Sequence, residues 1–85
     1  MDIQNLALLG STGSIGKQTL EIVEEHPDKF NVVALTANSS WEDLAEQIKN
    51  FNPEIAVIGN REYYDQLLEN TAGSSTEILA GNEHL

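Results

Sequence analysis

A chain of 85 residues with four Lys plus Arg against fourteen Asp plus Glu carries a formal charge of -10, which repels nucleic acid and anionic membrane and argues against both as partners. The absence of cysteine excludes a disulfide framework and thiolate metal sites, in keeping with a reducing, cytoplasmic compartment. The first apolar run begins within a few residues of Met1, which leaves no room for a signal or transit peptide, and no apolar run approaches the roughly 20 residues that span a bilayer. The length fits one small domain or the first part of a larger one, and a domain this small hides only about 60% of its unfolded surface.

Apolar runs of strand length alternate with stretches of helical period, the pattern of βαβ units around a parallel sheet. The first strand is expected at Asn5 to Leu9. Its near-continuous apolar character suits a central strand covered on both faces. Three glycines follow, spaced three apart, at Gly10, Gly13 and Gly16. Ser14 is placed to cap a helix running to Glu25, with Ile15, Leu20, Ile22 and Val23 as its apolar members and His26-Pro27 as its stop. Phe30 to Ala37 reads as the second strand, ended by the polar group Asn38-Ser39-Ser40. Ser40 and Asp43 resemble a capping box that opens a helix from Trp41 to Asn50, with Leu44, Ile48 and Phe51 on one face. A third strand at Ile55 to Ile58, a third helix at Glu62 to Glu69 and a fourth strand at Thr76 to Leu79 complete the reading. The fold class is therefore α/β: a Rossmann-like parallel sheet with flanking helices, incomplete at about four strands, because a doubly wound nucleotide fold has about six.

The glycine spacing G-x-x-G-x-x-G is one residue wider than the dinucleotide fingerprint, but it stands between a strand and a helix, where a phosphate cradle is built. Gly10 would make the turn, Gly13 would let the backbone approach a pyrophosphate, and Gly16 would let the helix pack close. Thr12 and Ser14 could add hydroxyl donors, and the N–H groups of Gly13, Ser14 and Ile15 would face the anion. At the end of the second strand, NAD-specific enzymes place a carboxylate that binds the adenosine ribose. Thr36-Ala37-Asn38-Ser39-Ser40 contains none, so NADP is favoured over NAD, with the following helix N-terminus able to accept a 2′-phosphate. Lys17 follows the third glycine, yet the P-loop pattern G-x-x-x-x-G-K-[ST] is absent. His26 and His84 have no partners that would make either a base or a ligand, Glu21, Glu24 and Glu25 read as a solvated face, and no catalytic or metal-binding residue can be assigned.

The blocks Ala7-Leu8-Leu9-Gly10-Ser11-Thr12-Gly13-Ser14-Ile15-Gly16, His26-Pro27-Asp28-Lys29-Phe30-Asn31-Val32-Val33-Ala34-Leu35, Leu44-Ala45-Glu46-Gln47 and Pro53-Glu54-Ile55-Ala56-Val57-Ile58 resemble the amino terminus of the 1-deoxy-D-xylulose 5-phosphate reductoisomerases. The resemblance covers nearly the whole chain. It implies an NADPH-dependent oxidoreductase that rearranges deoxyxylulose phosphate and reduces the resulting aldehyde to 2-C-methyl-D-erythritol 4-phosphate, in the non-mevalonate route to isoprenoids, with a divalent metal ion (Mg, Mn or Co) and as a homodimer. By position it implies coenzyme phosphate contacts at Thr12, Gly13, Ser14 and Ile15, and 2′-phosphate contacts at Asn38, Ser39 and Ser40, where some members place a lysine at the position of Ser39. Residues 1–85 would then be the amino-terminal part of a NADPH-binding Rossmann-like domain. The metal ligands, substrate site and dimer surface, in catalytic and carboxy-terminal domains, would lie beyond Leu85, and the 85 residues alone are expected to be inactive. Two alternatives share features with this reading: the cofactor domain of another NADP-dependent dehydrogenase, such as a semialdehyde dehydrogenase, which uses the same glycine spacing, and a nucleotide-binding module with no chemistry of its own.

Overall fold

The computed structural model describes residues 3–81, and His84 lies outside them. Four strands, β1 (Gln4–Leu8), β2 (Phe30–Ala37), β3 (Ile55–Ile58) and β4 (Glu77–Ala80), alternate with three helices, α1 (Ser14–Glu25), α2 (Trp41–Phe51) and α3 (Tyr64–Asn70), the last preceded by a 3-10 turn at Arg61–Tyr63. All neighbouring strands pair parallel in the order β1-β2-β3-β4. Right-handed crossovers in an order that never reverses lay the three helices on one face of the sheet.

That face holds the core. Register pairs Leu6 with Val32, Leu8 with Leu35, Leu35 with Ala56, Ala37 with Ile58, and Ala56 with Ile78. These side chains pack with Leu20 and Val23 of α1, Leu44, Ala45 and Ile48 of α2, and Leu67 of α3. Leu35, Leu44, Ile48, Ile58 and Leu67 are fully buried, each worth about 1.5–3 kcal/mol of transfer free energy. On the opposite face Ala7, Ala34, Ile55 and Leu79 are exposed or half-buried, while Thr36 and Val57, paired with one another, are buried.

Between Leu6 and Ala7 the register slips, so that Leu6 faces Val32 but Ala7 faces Ala34. Val33 is the extra residue, a β-bulge that shifts the phase of β2 and lets Val32, Leu35 and Ala37 share the core face despite their uneven spacing.

Several expectations change in detail. Among the described residues β1 is an edge strand, because β2 covers one side only, and Leu9 has left it for the turn, 77% exposed. On α1 the buried positions are Gly16, Leu20 and Val23, one helical stripe, whereas Ile15 and Ile22 fall on a second stripe and are exposed. The helix ends as expected, with the His26 N–H donating to the carbonyls of Ile22 and Val23. On α2, Glu42 and Asp43 in the first turn and Lys49 in the last complement the helix dipole. Asn52 closes α2 in the left-handed conformation, φ 47°, immediately before Pro53, which cannot continue a helix.

Candidate functional site

Parallel pairing puts the carboxyl ends of β1 and β2 side by side, so the two turns that leave them face the same solvent. The first is Leu9 to Gly13. Gly10 sits at φ +68°, a left-handed conformation that side chains with a Cβ rarely adopt. The Gly13 N–H donates back to the Gly10 carbonyl at 3.0 Å, and the first bond of α1 runs from the Lys17 N–H to the Gly13 carbonyl at 2.9 Å. The Gly13 amide is therefore used inside the turn rather than facing outward. The amides of Ser14, Ile15 and Gly16 have no acceptor within the helix. Gly13, not Ser14, is the N-cap, and no side chain caps the helix. An uncapped amino terminus, about +0.5 of an elementary charge with its N–H groups directed outward, is suited to an anion.

The three glycines have three different roles. At Gly13 an added Cβ would meet only the Gly10 carbonyl oxygen, at 3.4 Å, so the protein itself leaves that space open. At Gly16 an added Cβ would lie 2.6 Å from Ser11 Cα and 2.7 Å from its carbonyl carbon and oxygen. Helix α1 and the turn are thus in backbone contact, which only glycine permits there.

The second turn is Asn38-Ser39-Ser40. Its backbone is anchored by the Gly59 N–H donating to the Ala37 carbonyl and the Asn60 N–H to the Asn38 carbonyl, both at 2.8 Å. Ser40 is the N-cap of α2, but its hydroxyl makes no capping bond. The capping box does not form, because Asp43 turns instead to Lys17, with Nζ 3.2 Å from Oδ2 and both side chains half-exposed. The Trp41 N–H donates to the Ser39 carbonyl at 2.8 Å and the Leu44 N–H to the Ser40 carbonyl at 3.0 Å, leaving the amides of Glu42 and Asp43 without helical acceptors. An open cleft of about 380 Å³, lined by Ser39, Ser40, Trp41, Glu42, Asp43 and Tyr63, lies at this helix end.

Thr36 joins the two turns. Its Oγ1 accepts from the Gly10 N–H at 2.9 Å, and its carbonyl accepts from the Ser11 N–H at 2.8 Å. The structure therefore brings Thr12, Gly13, Ser14 and Ile15 to the same end of the sheet as Asn38, Ser39 and Ser40. Thr12 is half-buried, while Gly13, Ser14, Ile15 and the second turn are exposed.

Three residues at this end were given no role from the sequence. Lys17 places a cation beside the first turn of α2; the available signal was topological, since first turns of successive helices in a βαβαβ run are neighbours. Ser11 and Gln47 are buried and bonded to one another. Gln47 could have been found as the one amide on the Leu44, Ile48, Phe51 stripe, because a buried amide requires a partner.

Among the described residues no group of three His, Asp or Glu could hold a metal ion, so a divalent metal has no donor set here. No helix among them is long and apolar enough to cross a membrane.

The family model for 1-deoxy-D-xylulose 5-phosphate reductoisomerase matches residues 6–85. The chain belongs to this reductoisomerase family. The reductoisomerase of Phocaeicola vulgatus is 48% identical over 82 residues, 96% of this chain and 22% of that protein. That of Bacteroides thetaiotaomicron is 47% identical over 78 residues, 92% of this chain and 20% of the relative. The reductoisomerase of Zymomonas mobilis, solved with NADPH, superposes with a TM-score of 0.93 at 42% identity, covering 98% of this chain and 22% of that one. A further reductoisomerase, solved with NADPH, fosmidomycin and magnesium, superposes with a TM-score of 0.88 at 38% identity, covering 96% of this chain and 20% of its own. The chain thus spans about a fifth of the length of these relatives. Glycine spacing alone is shared with semialdehyde dehydrogenases; the match along nearly the whole chain is to reductoisomerases.

Proposed function

We propose that residues 1–85 are the amino-terminal part of the NADPH-binding domain of a 1-deoxy-D-xylulose 5-phosphate reductoisomerase, which rearranges and reduces deoxyxylulose phosphate to 2-C-methyl-D-erythritol 4-phosphate. The catalytic and carboxy-terminal domains of the longer protein, a cytoplasmic homodimer, supply the substrate site and the divalent-metal ligands. The observation that carries the reading is the uncapped start of α1, set behind the Gly10–Gly13 turn at the carboxyl end of β1.

The amides of Ser14, Ile15 and Gly16, with the hydroxyls of Thr12 and Ser14, bind the coenzyme diphosphate, and Gly13 leaves room for it to approach. Asn38, Ser39, Ser40 and the open amides of α2 receive the adenosine 2′-phosphate. No carboxylate stands among residues 36–40 at the end of β2 to claim the ribose hydroxyls. NADPH, when bound, supplies the hydride for the reduction; these residues hold and orient it. The open edge of β1 is where further strands of the domain pair.

Two measurements on the full-length protein test this. Isothermal titration should give tighter binding of NADPH than of NADH, and deoxyxylulose phosphate with a divalent metal should drive NADPH oxidation. Equal or tighter binding of NADH overturns the 2′-phosphate assignment, and tight NADPH binding without turnover of deoxyxylulose phosphate overturns the substrate.

A further inference from the structure

Ser11 is fully buried although it lies inside an exposed turn, and Gln47 is 8% exposed. The Gln47 side chain grips Ser11 at both ends: Nε2 donates to the Ser11 carbonyl at 2.9 Å, and Oε1 accepts from Ser11 Oγ at 2.7 Å. From the other side Thr36 receives the Ser11 N–H and the Gly10 N–H, and Ser11 Oγ lies 3.3 Å from the Thr36 carbonyl. Gly16 presses on the Ser11 backbone from α1. Three consecutive peptide units are thus held by β2, α1 and α2 together, immediately before the residues that face solvent at the helix start.

We propose that Gln47 is a positioning residue for the coenzyme: its two-point grip on Ser11 holds the glycine turn in the shape that receives the diphosphate, although Gln47 itself reaches no ligand. The inference rests on the NADPH reading above. Stability alone does not call for the hydroxyl–amide half of this arrangement, because replacing both members of a buried side-chain pair with apolar groups is often nearly neutral. What an apolar pair would lack is direction. The amide fixes the orientation of the Ser11 peptide, and with it the path of Thr12 and Gly13. Because Ser40 is also the N-cap of α2, one rigid helix ties the diphosphate turn to the 2′-phosphate end.

The test uses the full-length protein and three variants: Gln47→Met, Gln47→Glu and the double variant Ser11→Ala/Gln47→Met. Gln47→Met should weaken NADPH binding about tenfold, the scale of one buried hydrogen bond, raising KM for NADPH while kcat at saturating NADPH and KM for deoxyxylulose phosphate stay within about twofold. The double variant removes the Ser11 hydroxyl but leaves the Ser11 carbonyl unpaired, so it should recover only part of the melting temperature lost by the single one, and none of the affinity. Gln47→Glu keeps the acceptor for Ser11 Oγ and loses the donor to the Ser11 carbonyl; it should weaken NADPH binding similarly and serves if Gln47→Met does not fold. Unchanged NADPH affinity in either single variant, or affinity restored together with melting temperature in the double variant, overturns the proposal. Failure of the unsubstituted protein to bind NADPH is a separate outcome that sinks the coenzyme reading itself.

Discussion

The two turns at the carboxyl end of the sheet are built on opposite plans. In the first, backbone groups of Gly10 and Ser11 are fixed by bonds from β2 and α2, and Ser11 is wholly buried. In the second, Asn38, Ser39 and Ser40 are all exposed, and the bond from outside the turn and its helix is the one from the Asn60 N–H to the Asn38 carbonyl. A diphosphate is common to every nicotinamide coenzyme, so its cradle can be rigid and made of backbone. The adenosine end is where coenzymes differ, and the turn proposed to receive it presents exposed side chains that can be exchanged without disturbing the core.

The sharpest way to break this contrast is through the glycines. Gly16→Val would drive a side chain into the Ser11 backbone, which cannot yield as a side chain could. We expect a loss of about 3 kcal/mol or more, at the upper end for overpacking, read as a collapse in melting temperature and soluble yield of the full-length protein. Gly13→Val should behave differently, since an added Cβ there touches only the Gly10 carbonyl at ordinary distance. Folding should be kept while NADPH affinity falls roughly a hundredfold, about 2.7 kcal/mol. A Gly13→Val protein that binds NADPH normally would show that the ligand does not approach this backbone; one that unfolds would show that the turn is not open.

Ser40→Ala sharpens the other half of the comparison. An N-cap serine that makes its bond costs about 1 kcal/mol to remove, but the Ser40 hydroxyl makes none. Thermal unfolding of Ser40→Ala should therefore shift by less than about 0.5 kcal/mol, while binding of NADPH weakens about fivefold and that of NADH does not. A full capping penalty would mean that the Ser40 hydroxyl serves the helix rather than the ligand.

Legibility followed the same division. The extents of β2 and β3 and the end of α1 could be read directly, because apolar runs bounded by His26-Pro27, Asn38-Ser39-Ser40 and Asn52-Pro53 leave little freedom. The glycine turn was legible because three glycines between a strand and a helix have few other uses. Hidden from the sequence was everything that depends on which neighbour a side chain meets. Asp43 looked like half of a capping box until the fold supplied Lys17. Ile15 and Ile22 looked like core until the Gly16 contact fixed which stripe of α1 turns inward. The strands read as apolar on both faces partly because the bulge at Val33 breaks the alternation in β2, and partly because Ala7, Ala34, Ile55 and Leu79 line a second face that carries no helix among the described residues.

The smallest effect expected is also the most specific. Lys17 and Asp43 are both about half-exposed, so as a stability element their pair is worth little, about 0.2–1 kcal/mol after solvent screening. Its placement matters more, because Glu42 and Asp43 put two carboxylates in the first turn of α2, next to the residues proposed to receive the 2′-phosphate, and Lys17 offsets one of them. Lys17→Ala should leave the melting temperature nearly unchanged and weaken NADPH about threefold, with NADH, which carries no phosphate there, unaffected. Raising ionic strength should shrink the difference between Lys17→Ala and the unsubstituted protein, since exposed charges are screened over about 8 Å at physiological salt. Equal weakening of both coenzymes would place the action of Lys17 on the shared diphosphate, and would leave discrimination at the second turn to Asn38, Ser39 and Ser40 alone.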